Sequence, residues 1–241
     1  MIKLINLTKY FDKLRVLEGI SYEIPESESL AVIGPSGCGK STLLRLLMRL
    51  DTPTAGKILI DNRELGKLGL EEVIKLRKRI GMIFQSSALF DSMNVFDNVA
   101  FGLRQHGEHS KKDLERIVAE KLEMVELTGT EELMPDELSG GMQKRVSIAR
   151  ALAFNPSIIL YDEPTTGLDP ITSVTIENLM IKLKRELKVT SIIVTHVMQT
   201  VNRVAEKIVL LDEGRFIECG TPEETARSHD PIVKRFITGG L

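Results

Sequence analysis

Residues 34–41 read GPSGCGKS, and this segment restricts the possible folds of the chain more than any other. It fits the pattern G-x-x-x-x-G-K-[ST] in full, a pattern that forms a phosphate-binding loop. Residues 29–34 form a short apolar run typical of a buried strand, and leucines at helical spacing follow the loop. A strand, a glycine-rich turn and a helix in this order predict an α/β protein that binds phosphate at the start of the helix.

This loop supplies most of the candidate ligands for a nucleotide. Its glycines allow backbone N–H groups to curl around phosphate oxygens without clashes from Cβ atoms. Lys40 can reach the β and γ phosphates, the hydroxyl group of Ser41 can bind Mg²⁺, and Thr42 extends the set of donors. The candidate nucleotide-binding residues of the segment are Gly34, Pro35, Ser36, Gly37, Cys38, Gly39, Lys40, Ser41 and Thr42.

Two adjacent carboxylates end a second apolar run, at residues 158–163. Because the side chains of a strand alternate, Asp162 and Glu163 are expected to point in different directions. We expect Asp162 to hold Mg²⁺, directly or through water, and Glu163 to face the water that attacks the γ-phosphate. The alternative is a solvated strand end, which the complete phosphate loop disfavours because that loop requires residues of these two kinds.

Gln85 and His196 end two further predicted strands, at residues 79–85 and 190–196. The side-chain carbonyl of Gln85 can bind Mg²⁺ or the attacking water, although a glutamine alone is more often a plain surface residue. His196 can contact the γ-phosphate and hold Glu163 and the water in place. A lone histidine is usually structural, but α/β proteins build their sites at the carboxyl ends of strands.

A second glycine-rich segment, LSGGM at residues 138–142, precedes another helical pattern. A serine hydroxyl, bare glycine amides and a helix N-terminus form an anion site that has no cation of its own. Ser139, Gly140 and Gly141 are therefore further candidates for contact with a phosphate group. The alternative is an ordinary helix capped by its serine.

The predicted elements indicate a single domain over residues 1–241, with strands first, a helical segment at about 86–153, and alternating strands and helices after it. The net charge of −2 gives no reason to expect nucleic-acid binding. Two distant cysteines fit a reducing compartment. No run approaches the roughly 20 apolar residues of a membrane helix, and the first residues lack the features of a secretory signal. We therefore expect a cytoplasmic protein that reaches a membrane only through a partner.

The order of GPSGCGKST, Gln85, LSGGM, YDEP, TGLD and His196 resembles the nucleotide-binding subunit of an ATP-binding cassette (ABC) transporter over nearly the whole chain. The resemblance implies a P-loop NTPase with a RecA-like core, an antiparallel β subdomain, an inserted helical subdomain, and ATP and Mg²⁺ as cofactors. It also implies a head-to-tail homodimer, in which Ser139 and its two glycines approach the γ-phosphate held by the other copy. Phe11 falls where the family stacks an aromatic ring on adenine, with Tyr10 as the alternative; either ring could instead belong to the core.

Residues 84–106, the LSGGM ending followed by Arg145, and the C-terminal DPIVKRFITG resemble the ATPases of MCE-type lipid transporters, the maintenance-of-lipid-asymmetry group. This implies permease subunits, an MCE-domain protein as a further partner, and a place on the inner face of the cell membrane. We expect some apolar residues after Gln85 to receive a permease helix, although they could equally pack the helical segment itself. These residues are Leu89, Phe90, Met93, Val95 and Phe96.

Two other functions compete with lipid transport. One is an importer ATPase for polar amino acids or osmolytes, which the neighbouring permease would distinguish. The other is a non-transport ABC ATPase of DNA repair, chromosome structure or translation. That class needs a long coiled coil between its two motifs or two cassettes in one chain. The span from Thr42 to Leu138 is too short and irregular for a long heptad run, and one cassette is present.

Overall fold

The structure is a computed structural model that describes residues 1–107 and 109–239. Glu108, Gly240 and Leu241, which fall within the predicted domain 1–241, lie outside the described residues. The strands are β1 (Ile2–Phe11), β2 (Leu14–Ile24), β3 (Ser29–Ile33), β4 (Ala55–Ile60), β5 (Arg63–Glu64), β6 (Ile80–Ile83), β7 (Ile158–Asp162), β8 (Thr190–Val194), β9 (Lys207–Asp212) and β10 (Arg215–Gly220).

The α-helices lie mainly between and after the strands of the larger sheet. They are α1 (Lys40–Leu47), α2 (Leu70–Lys78), α3 (Val95–His106), α4 (Lys111–Met124), α5 (Gly140–Leu152), α6 (Pro170–Leu187), α7 (Met198–Val204), α8 (Pro222–Ala226) and α9 (Pro231–Ile237). Short 3₁₀ helices occupy Leu65–Lys67 and Pro135–Glu137. Along the described ranges, no helix combines the length and the apolar character needed to cross a lipid bilayer.

Two sheets organise the described part of the chain. The smaller has four antiparallel strands in the order β2-β1-β4-β5, and the larger has six in the order β10-β9-β3-β8-β7-β6. Neighbouring strands of the larger sheet are parallel from β9 to β6, and only β10 runs antiparallel to its neighbour. This architecture confirms the predicted α/β class and the antiparallel β region near the N-terminus.

The parallel strands carry the candidate site because their carboxyl ends meet at one edge of the sheet. Every residue of β3 and β8 is buried, as are the first four of β7, which explains their continuous apolar runs. The phosphate loop leaves the end of β3, Asp162 ends β7, and His196 lies two residues past β8. Residues distant in sequence are thereby placed along one edge.

Three helices, α3, α4 and α5, lie between β6 and β7 and share an apolar core. In α4 the apolar side chains of Leu114, Val118 and Leu122 recur at helical spacing and are buried. Val95 is also core, whereas the ring of Phe90 is 39% exposed. Val95 therefore packs the helical segment itself, which was the alternative to a permease contact. The bounds of a separate helical subdomain at 86–153 stay a prediction.

The structure corrects the ends of several predicted elements. The strand expected at 79–85 ends at Ile83, so Gln85 lies beyond the sheet. The reason is tertiary: the backbone carbonyls of Phe84 and Gln85 accept hydrogen bonds from Lys144 Nζ instead of continuing a strand. His196 likewise lies outside β8.

Candidate nucleotide-binding site

The phosphate loop requires glycine where its backbone approaches other segments. A Cβ atom on Gly34 would lie 2.5 Å from the carbonyl oxygen of Leu211. Gly39 has φ +113°, and a Cβ atom there would lie 2.6 Å from Cγ1 of Val16. The loop is thus packed against β9 and β2, which fixes its path into α1. Within it, Gly34, Gly39 and Lys40 are buried, Cys38 and Thr42 are partly buried, and Pro35, Ser36, Gly37 and Ser41 are exposed.

Lys40 directs its ammonium group into the curve of this loop. Its side chain is buried, and Nζ donates to the carbonyl oxygens of Gly34 at 2.8 Å and Pro35 at 3.0 Å. These oxygens are dipoles without a full negative charge, so a phosphate group gains a strong electrostatic interaction with the same ammonium. The N-terminus of α1, which begins at Lys40, adds to the attraction for an anion.

Ser41 and Asp162 meet beside the loop, as expected for two ligands of one cation. Ser41 Oγ donates to Asp162 Oδ1 at 3.0 Å. Burial and the neighbouring Glu163 charge raise the pKa of Asp162 against the lowering effects of Ser41, Lys40 and Lys144. Hydroxyl and carboxylate oxygens are the ligands that Mg²⁺ prefers. The side chain of Gln85 is exposed, and its part in the metal site stays a prediction.

Glu163 and His196 form the second functional pair. His196 Nδ1 lies 2.9 Å from Glu163 Oε1, while the hydroxyl groups of Thr166 and Thr195 each donate to Oε2 at 2.9 Å. The backbone of Glu163 has φ +47°, and its N–H donates to the carbonyl of Val194. Four contacts therefore hold this side chain and its strained backbone in place.

The charge of Glu163 follows from these contacts. Burial would raise the pKa of Glu163, but hydrogen bonds from His196, Thr166 and Thr195 outweigh it and hold the pKa below its ordinary value. The group is therefore a carboxylate at neutral pH. Since a carboxylate only accepts hydrogen bonds, Nδ1 of His196 carries the proton, which leaves Nε2 to face other groups. An ionised Glu163 is suited to orient a water molecule more than to remove its proton completely.

Two cations on α5, Lys144 and Arg150, hold the segment after β6, and neither belongs to a motif recognised in the sequence. Lys144 Nζ donates to the carbonyls of Phe84 at 2.7 Å and Gln85 at 3.0 Å. Arg150 donates to the carbonyls of Ala88 at 2.8 Å and Ser87 at 3.1 Å. Burial lowers the pKa of Lys144 to about 8, against the opposite effect of Asp162. The sequence signal for such anchoring residues is a lysine or arginine on the core-facing side of a predicted helix.

Replacing Lys144 with methionine is expected to lower the free energy of unfolding by about 1–3 kcal/mol, the cost of removing the donor from two partly buried acceptors. The substitution keeps the aliphatic stem but removes the donor to two carbonyl groups. Urea denaturation would measure the change. Lys111→Met is the control because that side chain is 91% exposed. Equal stability of the two variants would contradict the anchoring role of Lys144.

The LSGGM segment forms the exposed start of α5. Ser139 is the N-cap residue, and its Oγ accepts a hydrogen bond from the N–H of Met142 at 3.3 Å. A Cβ atom on Gly141 would lie 2.6 Å from Cγ2 of Thr172, so the helix start packs closely on α6. Ser139 and Gly140 are exposed to solvent. This arrangement presents backbone donors outward, while contact with a phosphate stays a prediction.

Phe11 lies at the end of β1 with its ring 43% exposed, and Tyr10 beside it is 37% exposed. The ammonium group of Lys9 lies 4.6 Å from the centre of the Phe11 ring. Val16, on the paired strand β2, contacts the phosphate loop near Gly39. The hairpin that carries Phe11 therefore packs beside the loop, and stacking of Phe11 on adenine stays a prediction.

Comparison with known proteins shows a consistent set of relatives. The model of the family described as "ABC transporter" matches residues 17–166. The chain is 40% identical over 240 residues to the "Intermembrane phospholipid transport system ATP-binding protein MlaF" of Haemophilus influenzae, covering 99% of this chain and 90% of the relative. It is 42% identical over 242 residues to the "Methionine import ATP-binding protein MetN" of the same species, covering 98% and 70%.

A "Probable ribonucleotide transport ATP-binding protein mkl" of Mycobacterium leprae is 38% identical over 234 residues. The alignment covers 97% of this chain and 67% of that relative. The alignment with the M. tuberculosis protein of the same name covers 65% of that protein. Among solved structures, the dimeric post-hydrolysis state of the ATP-binding cassette MJ0796 bound to ADP and Pi has a TM-score of 0.82 and 36% identity, covering 92% of this chain and 99% of that one. This likeness confirms the predicted P-loop NTPase fold.

Proposed function

The chain belongs to the ABC transporter family, and from this premise we propose that it hydrolyses ATP to drive a transporter that handles phospholipids. The observation that carries the ATPase function is the pair formed by Glu163 and His196 at 2.9 Å, placed at the same sheet edge as the phosphate loop. Phosphoryl transfer needs little covalent help from a protein, so positioning and charge neutralisation are the main tasks. The described residues supply both.

The residues fit ATP and Mg²⁺ by their chemistry. The loop offers glycine amides, a helix N-terminus and the buried ammonium group of Lys40 to the phosphates. Ser41 and Asp162 offer oxygen ligands to Mg²⁺, and we assign Gln85 as a further ligand. The metal supplies charge neutralisation at the phosphates. Glu163 orients the attacking water, and His196 contacts the γ-phosphate through the ring edge opposite Glu163.

We also propose that two copies of the chain close on two ATP molecules. The exposed N-terminus of α5 supports this arrangement, because Ser139 and Gly140 lie at the surface in the first turn, where backbone N–H groups lack partners within the helix. Such a site gains most from a phosphate already partly neutralised by Lys40 of a second copy. The related cassette MJ0796, whose solved structure is dimeric, supports the same state. Phe11 would stack on adenine at the edge of each site.

Phospholipid is the cargo that the comparisons favour by coverage. The phospholipid-transport relative matches almost end to end, whereas the chain spans 70% of the methionine importer at a similar identity. An importer of a polar amino acid is therefore the second candidate. By this proposal, the chain lies at the inner face of the cell membrane, bound to permease subunits and associated through them with an MCE-domain protein.

Purification of the chain from membranes, with identification of the accompanying proteins, tests the choice of cargo. A permease together with an MCE-domain protein is the expected set, and phospholipid vesicles should raise ATP turnover of the purified complex. A permease accompanied by an amino-acid-binding protein, with turnover raised by that amino acid, would contradict phospholipid transport and leave the ATPase function standing.

The double substitution Leu89→Asp/Phe90→Asp is expected to abolish co-purification with the permease while ATP still binds. Leu89 is partly buried against the helical core, and the Phe90 ring is 39% exposed, so a charge there removes an apolar contact surface. Affinity purification from membranes would measure the loss. Leu70→Asp is the control, since Leu70 is 77% exposed on α2. Retained permease binding by the double variant would count against this surface.

A further inference from the structure

A buried carboxylate outside the nucleotide site has no role in the chemistry described so far. Glu177 lies in the middle of α6 with 1% of its surface exposed. Its charge is balanced by Arg203, whose Nε lies 2.7 Å from Glu177 Oε2. Burying a carboxylate costs several kcal/mol unless partners compensate it, so Glu177 depends on its partners to remain buried.

The second oxygen of Glu177 begins a chain of hydrogen bonds with a fixed direction. Thr200 Oγ1 donates to Glu177 Oε1 at 2.8 Å, and the hydroxyl groups of Thr165 and Thr200 are also 2.8 Å apart. A hydroxyl has one proton, and a carboxylate can only accept. The proton of Thr200 therefore points to Glu177, and Thr165 donates to Thr200. Both threonines are buried, so their hydroxyl groups depend on these protein partners for their hydrogen bonds.

The two threonines lie on the segments that carry Glu163 and His196. Thr165 follows Glu163 by two positions, in the turn where Leu168 N–H donates to the Thr165 carbonyl. Thr200 lies on α7, which begins two positions after His196. A single carboxylate on α6 thus holds the turn after β7 and the helix after β8 in one arrangement.

We propose that Glu177 is a positioning residue for ATP hydrolysis, which acts through Thr165 and Thr200 to set Glu163 and His196 at their observed separation. This inference rests on the proposed roles of that pair. Small misplacements of catalytic groups have large effects on rate, because the reaction depends on geometry more than on covalent help. Because Thr165 and Thr200 are both buried, we expect the network to act on turnover through the positions of Glu163 and His196 and to leave nucleotide affinity unchanged.

Thr200→Val and Thr200→Ser test the inference, because valine keeps the volume but removes the hydroxyl, whereas serine restores it. ATP turnover would be measured with the full chain as purified from membranes with its accompanying subunits. Thr200→Val is expected to lower kcat about 10–100-fold with KM unchanged, the range typical of residues that orient a ligating or reacting group. Thr200→Ser is expected to keep most of the wild-type kcat.

Thr225→Val is the matched control, since Thr225 on α8 is equally buried and its hydroxyl group contacts the backbone carbonyls of Cys219 on β10 and Thr221, away from this network. It should match Thr200→Val in lost thermal stability but not in lost kcat. Amide hydrogen exchange of residues 163–169 gives a second measurement, and it should rise in Thr200→Val alone.

If Thr200→Val keeps the wild-type kcat and the wild-type amide exchange, the inference is overturned. A loss of kcat in Thr200→Ser equal to that in Thr200→Val would also overturn it. If Thr225→Val loses as much kcat as Thr200→Val, the loss reflects lower stability in general, and the inference is also overturned. If Glu163→Gln abolishes turnover while Thr200→Val does not change it, only this inference fails. If Glu163→Gln leaves turnover unchanged, the proposed site itself fails.

Discussion

The Glu163→Gln variant is expected to bind ATP and to hydrolyse it about 10²–10⁴-fold more slowly than the wild type, the contribution typical of a positioned acid–base group. Glutamine keeps the size of the side chain but loses the negative charge that attracts and orients the attacking water. Its single amide oxygen can still accept from the hydroxyl groups of Thr166 and Thr195, whereas its NH₂ group then faces Nδ1 of His196 and cannot accept from it. Binding without turnover should therefore accumulate the ATP-bound dimer.

Phosphate release would measure turnover, and size-exclusion chromatography with ATP would detect the trapped dimer. Glu126→Gln is the control because that side chain is 69% exposed. The sign of the effect follows from charge: a depressed pKa keeps Glu163 ionised at neutral pH, so the amide differs from it over the whole physiological range. Turnover near the wild-type rate would remove Glu163 from its assigned role.

The Lys40→Ala variant is expected to bind ATP about 10–100-fold more weakly, the equivalent of the 1.5–3 kcal/mol of a charge-assisted hydrogen bond. The substitution removes the ammonium group that lies within the phosphate loop. Calorimetric titration with ATP and Mg²⁺ would measure the dissociation constant. Lys111→Ala, at a site 91% exposed, controls for the general loss of a positive charge.

Lys40 also donates to two backbone carbonyls of its own loop, so a change in affinity must be separated from a change in folding. Thermal denaturation of Lys40→Ala without nucleotide provides that separation. Weak binding by a variant that melts like the wild type would support direct contact with phosphate. An unchanged dissociation constant would exclude Lys40 from the site.

The main features of the fold could be predicted from the sequence because they depend on local patterns. A continuous apolar run followed by the glycine pattern predicts β3, the loop and α1 together. The meeting of Asp162, Glu163 and His196 could also be predicted, because parallel strands bring their carboxyl ends to one edge. These residues are adjacent to strands, so their positions follow from the order of the elements.

The partners of these residues could not be predicted in the same way. Lys144 and Glu177 are charged residues within helices, where exposure to solvent is the ordinary expectation. Their burial depends on contacts with segments far away in sequence, such as Phe84 and Thr200. The same contacts explain the error at the end of β6, since Lys144 takes the carbonyls that a longer strand would have used.

Hydrogen bonds from Lys144 and Arg150 join helix α5 to residues 84–88 at two points. Six residues of helix separate these points by roughly 9 Å, so the fastening fixes the tilt of the helix as well as its location. If a permease displaces the surface around Phe90, as we propose, these hydrogen bonds would transmit the displacement to α5, whose N-terminus carries Ser139. In the proposed dimer, the position of this loop would therefore set the distance between Ser139 and the nucleotide held by the second copy.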